Sequence, residues 1–256
     1  PPPPHARLAL ASPPPAGGTP CFPPPPATPA APDGASRPEA VVFDFDGLIL
    51  DTEWCEYSTA ADVFRAHGQE LSLELWRTFI GSTDHPHWTE ILEEQLGRPV
   101  DRSTLVPARR LANRECTAGL APLPGVLPLL DALRDDGVAL AIASSSPADW
   151  VLGHLGDHGL TGRFASISTG DEVVRTKPDP ALYRLSCERL GVRADRAVAV
   201  EDSVNGVAAA RAAGLAAVAV PSGLTVGMDF SHADLVVESC LDLDPVVLGG
   251  VLRRPH

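Results

Sequence analysis

The chain holds a single lysine, Lys177, against nineteen arginines, a single methionine, Met228, and only 5% aromatic residues. No apolar run reaches the ~18 residues that a membrane-spanning helix needs, so a membrane role is not expected. The five cysteines, Cys21, Cys55, Cys116, Cys187 and Cys240, are scattered and never form a CxxC pair. Neither a disulfide framework nor a zinc site is therefore expected, and cytosolic free thiols are the simplest reading. A basic excess is also missing: the formal net charge is −13, and Arg7, Arg37, Asp33 and Glu39 cancel within the first forty residues. The acidic excess thus lies on the folded part, which excludes nucleic acid as a partner.

Residues 1–38 have almost no large apolar side chains and carry fifteen of the 27 prolines. Such a segment cannot bury enough surface to fold, and a disordered tail extraneous to function is expected. Its only apolar run, Leu8 to Ala11, is shorter than the ~7 to 15 residues of a secretory core, so no export signal is visible and a cytoplasmic protein is expected. The remainder has the composition of a globular protein, the whole chain being 44% hydrophobic and 21% charged. Its length suits one core of ordinary size plus a smaller appended unit.

Continuously apolar segments end in acids or small polar residues. Ala40 to Phe45 reads as a central parallel strand covered on both faces, and Val138 to Ala143, Ala197 to Val200 and Leu215 to Val220 read as its neighbours. Helical periodicity fills the intervals Gly125 to Asp136, Pro147 to Gly156, Pro180 to Leu190 and Ser203 to Ala213. This alternation predicts an α/β fold, a doubly wound parallel sheet whose strand carboxyl ends share one edge. Residues 39–53 and 122–256 make that core. Residues 54–121 show helical spacing without a comparable strand and predict an inserted helical cap, reached by two connecting strands that form a hinge. Its first helix starts after Asp51-Thr52-Glu53 and stops at Gly68.

Four strand ends carry the chemistry. Asp44 and Asp46, two apart on a strand, point to one side, and Gly47 lets the backbone turn beside them. Carboxylates this close need a divalent cation or a shared proton. Ser144, Ser145 and Ser146 precede a helix whose free amides favour an anion such as phosphate. Lys177, retained where every other basic residue is arginine, suits a compact ammonium between two anionic groups. Glu201 and Asp202 end a further buried strand and supply hard oxygen ligands suited to Mg²⁺.

In this order the motifs resemble the haloacid dehalogenase superfamily, in its β-phosphoglucomutase-like branch with a helical cap. The matching text is Phe43-Asp44-Phe45-Asp46-Gly47 with Asp51-Thr52-Glu53, then Ser144, then Lys177-Pro178-Asp179-Pro180, then Val200-Glu201-Asp202-Ser203 with Gly206. The resemblance implies that Asp44 is the nucleophile and Asp46 the general acid and base. It implies that Asp202, aided by Glu201, binds Mg²⁺ with the Asp44 carboxylate and the Asp46 carbonyl, while Ser144, Ser145, Lys177 and Gly47 hold the phosphoryl group. Asp46 argues against dehalogenation, and a cap without lysine excludes the phosphonate-cleaving chemistry of relatives that use a cap Schiff base.

The expected reaction is Mg²⁺-dependent hydrolysis of a small phosphorylated metabolite, such as a sugar or polyol phosphate, through an aspartyl-phosphate. Sugar phosphomutases place a histidine where this chain has Glu56, and they carry a cap-loop arginine that is absent from Gly81-Ser82-Thr83-Asp84; Arg109, Arg110 and Arg114 are the available substitutes. Glu53, Glu56, Ser82, Thr83 and Arg114 are the candidate substrate contacts of the cap. A phosphomutase is the main alternative, a catalytically silent binding protein a lesser one, and a receiver domain is disfavoured by strand order and by the helical insert. For Trp54 and Trp76 helix packing is expected, and for His85 and His87 no zinc. Oligomeric state is left open.

Overall fold

A computed structural model describes residues 37–252. The expected disordered tail and Cys21 thus lie, apart from Arg37 and Pro38, outside the described residues. The core is a sheet of six parallel strands in the order β3-β2-β1-β4-β5-β6. They span β1 Ala40–Phe43, β2 Ala139–Ala143, β3 Ser166–Ser168, β4 Ala197–Glu201, β5 Ala216–Ala219 and β6 Leu235–Val236. The helices are α1 Glu53–Ala66, α2 Leu73–Arg77, α3 Trp88–Leu96, α4 Arg102–Thr117, α5 Val126–Asp135, α6 Ala148–Asp157, α7 Ala181–Leu190, α8 Val204–Ala213 and α9 Pro245–Val251.

Side-chain alternation along the central strands sorts the two faces by size. Val41, Phe43, Leu140, Ile142, Val198, Val200 and Val218 face one layer, formed with α5, α6 and α9. Ala40, Val42, Ala141, Ala143, Ala197, Ala199, Ala217 and Ala219 face the other, formed with α7 and α8. The alanine-rich face leaves room for a large side chain, and Tyr183 of α7 is fully buried there. The strand order switches direction between β1 and β4, and ligands in such sheets bind outside the carboxyl ends at that switch point. Asp44 follows β1, Glu201 ends β4 and Asp202 comes next.

The helices α1 to α4 form the insertion, with their own apolar centre of Ala60, Phe64, Leu71, Trp76, Ile80, Trp88 and Leu92. Leu224 of the core completes that cluster. The two links to the core are coil rather than the expected strands, tied where Leu123 donates its N–H to the Ile49 carbonyl at 2.9 Å. Further ties cross the junction: Arg77 Nε to the Leu224 carbonyl at 2.6 Å, Asn205 Nδ2 to the Ile80 carbonyl at 2.8 Å and Thr83 Oγ1 with Thr176 Oγ1 at 2.7 Å.

Two expectations are overturned. Cys55 and Cys116 are not free thiols but a disulfide, because α1 packs on α4 and brings their Cα atoms to 5.7 Å. Cys187 and Cys240 are free and buried. Trp54 is 52% exposed rather than packed in the centre of the insertion: from the first turn of α1 its ring meets that of Tyr57 at 6.0 Å between centroids, outside the cluster that buries Trp76.

Candidate active site

Asp44 is buried directly beyond β1, its N–H donating to the Val200 carbonyl at 2.9 Å. Lys177 reaches it from the segment before α7, fully buried, and donates to Asp44 Oδ1 and to Glu201 Oε1, the latter at 2.6 Å. The Glu201 carboxylate also accepts from Tyr183 Oη at 2.7 Å and from Ser203 Oγ at 3.0 Å and N at 3.2 Å. With four donors it is saturated, and its charge serves to hold the ammonium of Lys177 against Asp44. A Cβ on Gly206 would collide with that carboxylate, so the close approach of α8 to β4 requires glycine there.

Asp202 is the opposite case. It is 1% exposed, yet neither carboxylate oxygen has a hydrogen-bond partner. One oxygen each from Asp44, Glu201 and Asp202 lies within 4.8 Å of the others. A buried, unpaired carboxylate beside a second one is unfavourable unless a cation joins them. Hard oxygen donors on two strand ends fit Mg²⁺, and Asp202 rather than the saturated Glu201 is the side chain left open for it. The backbone at Gly47 has φ 80°, and a Cβ there would strike Asp202, so this glycine preserves the space.

The titration of the cluster follows from burial. Burial pushes the Asp44 carboxyl up, to about 8, with Glu201 and Asp46 adding and Lys177 opposing. Burial also raises Asp202 well above the carboxylate range, aided by Asp44 and Glu201. For Lys177 burial works against the charge, but Asp44 and Glu201 outweigh it and hold the ammonium above its ordinary value. Glu53, at the start of α1, is likewise raised by burial and by Asp46 and Glu56.

Asp46 is gripped from three elements. Oδ1 accepts from Thr52 Oγ1 at 2.7 Å and from the Trp150 indole Nε1 at 2.8 Å; Oδ2 accepts from Ser146 Oγ at 2.7 Å and Ser144 Oγ at 3.2 Å. Sequence reasoning missed Trp150 and did not assign Thr52 or Ser146 to this aspartate. The serine run hinted at Ser146, whereas no local signal marks an indole on α6 as a partner 104 residues from Asp46. The hydroxyl of Ser145, a residue expected at the phosphate, donates to the Gly81 carbonyl of the insertion at 2.9 Å.

Between core and cap lies a cavity of about 560 Å³, walled by Asp46, Trp150 and His154 on one side and by Glu56, Asn113 and Arg114 on the other. A smaller one of about 270 Å³ adjoins it at Ser82, Thr83, His85 and His87; Glu53 and Glu56 line both. Glu56 is not loose: it pairs with Arg109 and accepts from Asn113 Nδ2. Arg109 lies 5.5 Å from the Trp88 ring centroid and 6.0 Å from that of Trp76. Asn113, which carried no signal of its own in the sequence, is 4% exposed.

Residues 41–220 match the family described as haloacid dehalogenase-like hydrolase. The YhcW protein of Bacillus subtilis is 40% identical over 210 residues, covering 82% of this chain and 96% of YhcW. The phosphorylated carbohydrates phosphatase of Thermotoga maritima is 32% identical over 187 residues, covering 69% of this chain and 82% of that protein. The crystal structure of a CbbY mutant from Rhodobacter sphaeroides in complex with xylulose-(1,5)bisphosphate superposes with a TM-score of 0.67 at 28% identity, covering 80% of this chain and 96% of that one.

Proposed function

The chain belongs to the haloacid dehalogenase-like hydrolases, and we propose that it is a Mg²⁺-dependent phosphatase that cleaves a small phosphorylated metabolite by way of a phosphoryl group carried on Asp44. One observation carries this reading: the buried carboxylate of Asp44 lies against Lys177 and near an unpaired Asp202, while Asp46, two residues on, lines the large cavity. The Thermotoga relative, named for phosphorylated carbohydrates, supports a sugar or polyol phosphate as the substrate.

Phosphate monoesters are so inert that enzymes accelerate their hydrolysis by up to ~10²¹, which no single contact supplies. Asp44 attacks phosphorus, and the bond to the leaving oxygen breaks as the new Asp44–phosphorus bond forms. Asp46, held by Thr52, Ser144, Ser146 and Trp150, delivers a proton to that oxygen; it then takes one from the water that attacks the phosphorylated Asp44, releasing inorganic phosphate. Lys177 neutralises phosphoryl oxygens from its anchor on Glu201. Asp44, Asp202 and the Asp46 carbonyl would hold Mg²⁺, which would supply charge neutralisation at phosphorus.

Hydrolysis is favoured over phosphomutase chemistry by Glu56. It stands where the mutases carry a histidine, and its carboxylate is locked to Arg109 and Asn113. The test is release of inorganic phosphate from a panel of sugar, polyol and aryl phosphates, lost on adding EDTA, restored by magnesium and lost in Asp44→Asn. Interconversion of two sugar phosphates without net release would refute hydrolysis. A folded protein inert toward every ester would refute both readings.

A further inference from the structure

Tyr183 carries a hydroxyl that its packing does not need. Its ring is fully buried in the alanine-rich layer, in the cluster that holds Ala141, Ala143, Ala199 and Val207. A phenylalanine would fill that space equally well, whereas a buried hydroxyl is unfavourable unless it is hydrogen-bonded. The bond it makes is to Glu201 Oε1 at 2.7 Å, the same oxygen that accepts from Lys177 Nζ at 2.6 Å. That ammonium lies 5.2 Å from the centroid of the Tyr183 ring.

The donors and acceptors around Lys177 can be matched one by one. An ammonium has three N–H groups, and among the described residues one goes to Asp44 Oδ1 and one to Glu201 Oε1. The third is the group that can grip a phosphoryl oxygen. On Glu201, Oε2 accepts from both the N–H and the Oγ of Ser203, while the two lone pairs of Oε1 take Lys177 and Tyr183. Without the phenol O–H, a lone pair of a fully buried carboxylate would stand open, which is unfavourable. Lys177, already bonded to that oxygen, would turn a second N–H toward it.

Resting on the phosphatase reading, we infer that Tyr183 is a positioning residue of the reaction: by filling the second lone pair of Glu201 Oε1, it keeps one N–H of Lys177 free for the phosphoryl group. As Asp44 attacks, its negative charge passes to the phosphoryl oxygens, so that N–H matters most in the transition state.

Tyr183→Phe keeps the ring and removes the donor. Its kcat for p-nitrophenyl phosphate should fall about tenfold, with KM changed less than about twofold. Calorimetry with magnesium present reads the same split without turnover. Orthovanadate, which mimics phosphorus during transfer, should bind about tenfold more weakly than to the unaltered protein, and inorganic phosphate within about twofold. Ser186→Ala removes another buried hydroxyl of α7, one bonded to Ser168 Oγ at 3.0 Å, and should change none of these values. Unchanged kcat and vanadate affinity in Tyr183→Phe, or no vanadate binding by the unaltered protein, overturns the inference. An equal loss in Ser186→Ala also overturns it, by tracing the effect to looser packing of α7, and so does failure of Tyr183→Phe to fold, which would make the hydroxyl a support of stability. The phosphatase reading fails separately, if the unaltered protein releases no phosphate from any ester while the vanadate shift persists.

Discussion

Breaking the Cys55–Cys116 disulfide should cost the cap much of its stability. The linked residues are 61 apart and enclose nearly all of α1 to α4. Cross-linking a loop of that length removes about 14 cal/mol/K of chain entropy from the unfolded state, or ~4 kcal/mol at 25 °C. Against a total stability of ~5 to 15 kcal/mol this is a large share, and it falls on the two helices that carry Glu56, Arg109 and Asn113. Urea unfolding followed by tryptophan fluorescence is the assay, since Trp54, Trp76 and Trp88 report on the cap. With a slope of ~2 kcal/mol/M, Cys55→Ser with Cys116→Ser should lower the midpoint of the cap transition by about 2 M. Thiol titration of the unfolded chain should count two more reactive cysteines with reductant than without it. Equal counts with and without reductant, or a stability loss below ~1 kcal/mol, would refute the reasoning.

Lys177→Met leaves Asp44 and Glu201 buried with no cation between them, and a loss of ~3 to 5 kcal/mol in denaturant unfolding is expected together with loss of phosphate release. Unchanged stability would mean that the ammonium does not balance these acids. Glu53 has a folded-state pKa above its unfolded value, so the folded state binds the extra proton and stability falls as pH rises past ~4.3. Glu53→Gln should therefore raise the melting temperature of the metal-free protein at pH 7, with the gain shrinking as pH falls toward ~4.3 and absent below it; a uniform gain at all pH values would contradict this. Trp150→Phe removes one of four donors to Asp46 and should lower kcat by about tenfold, with little change in the melting temperature. An unaltered kcat would show that the indole does not position the acid.

Most of the sheet was legible because its signal is local. Four apolar segments, each ended by an acid, a serine or a turn, mark β1, β2, β4 and β5 to within two residues. The edge strands β3 and β6 were not legible: they have three and two residues, too few for an alternation to register. The meeting of these residues was readable for the same reason as the sheet, since a residue just past a buried parallel strand must lie on the carboxyl edge, and Asp44, Ser144, Glu201 and Asp202 all do.

Strand register and the positions of acids along the chain were enough to specify which groups meet at that edge, because a two-residue period and a right-handed crossover leave no other arrangement. How those groups are divided was decided by packing. Glu201 is consumed by Lys177, Tyr183 and Ser203 while Asp202 stays open, Trp150 of α6 donates to Asp46, and α1 lies on α4 closely enough to join Cys55 to Cys116. Each of these depends on where a helix settles over a neighbour far away in the chain, and that distance in sequence carries no periodicity to read.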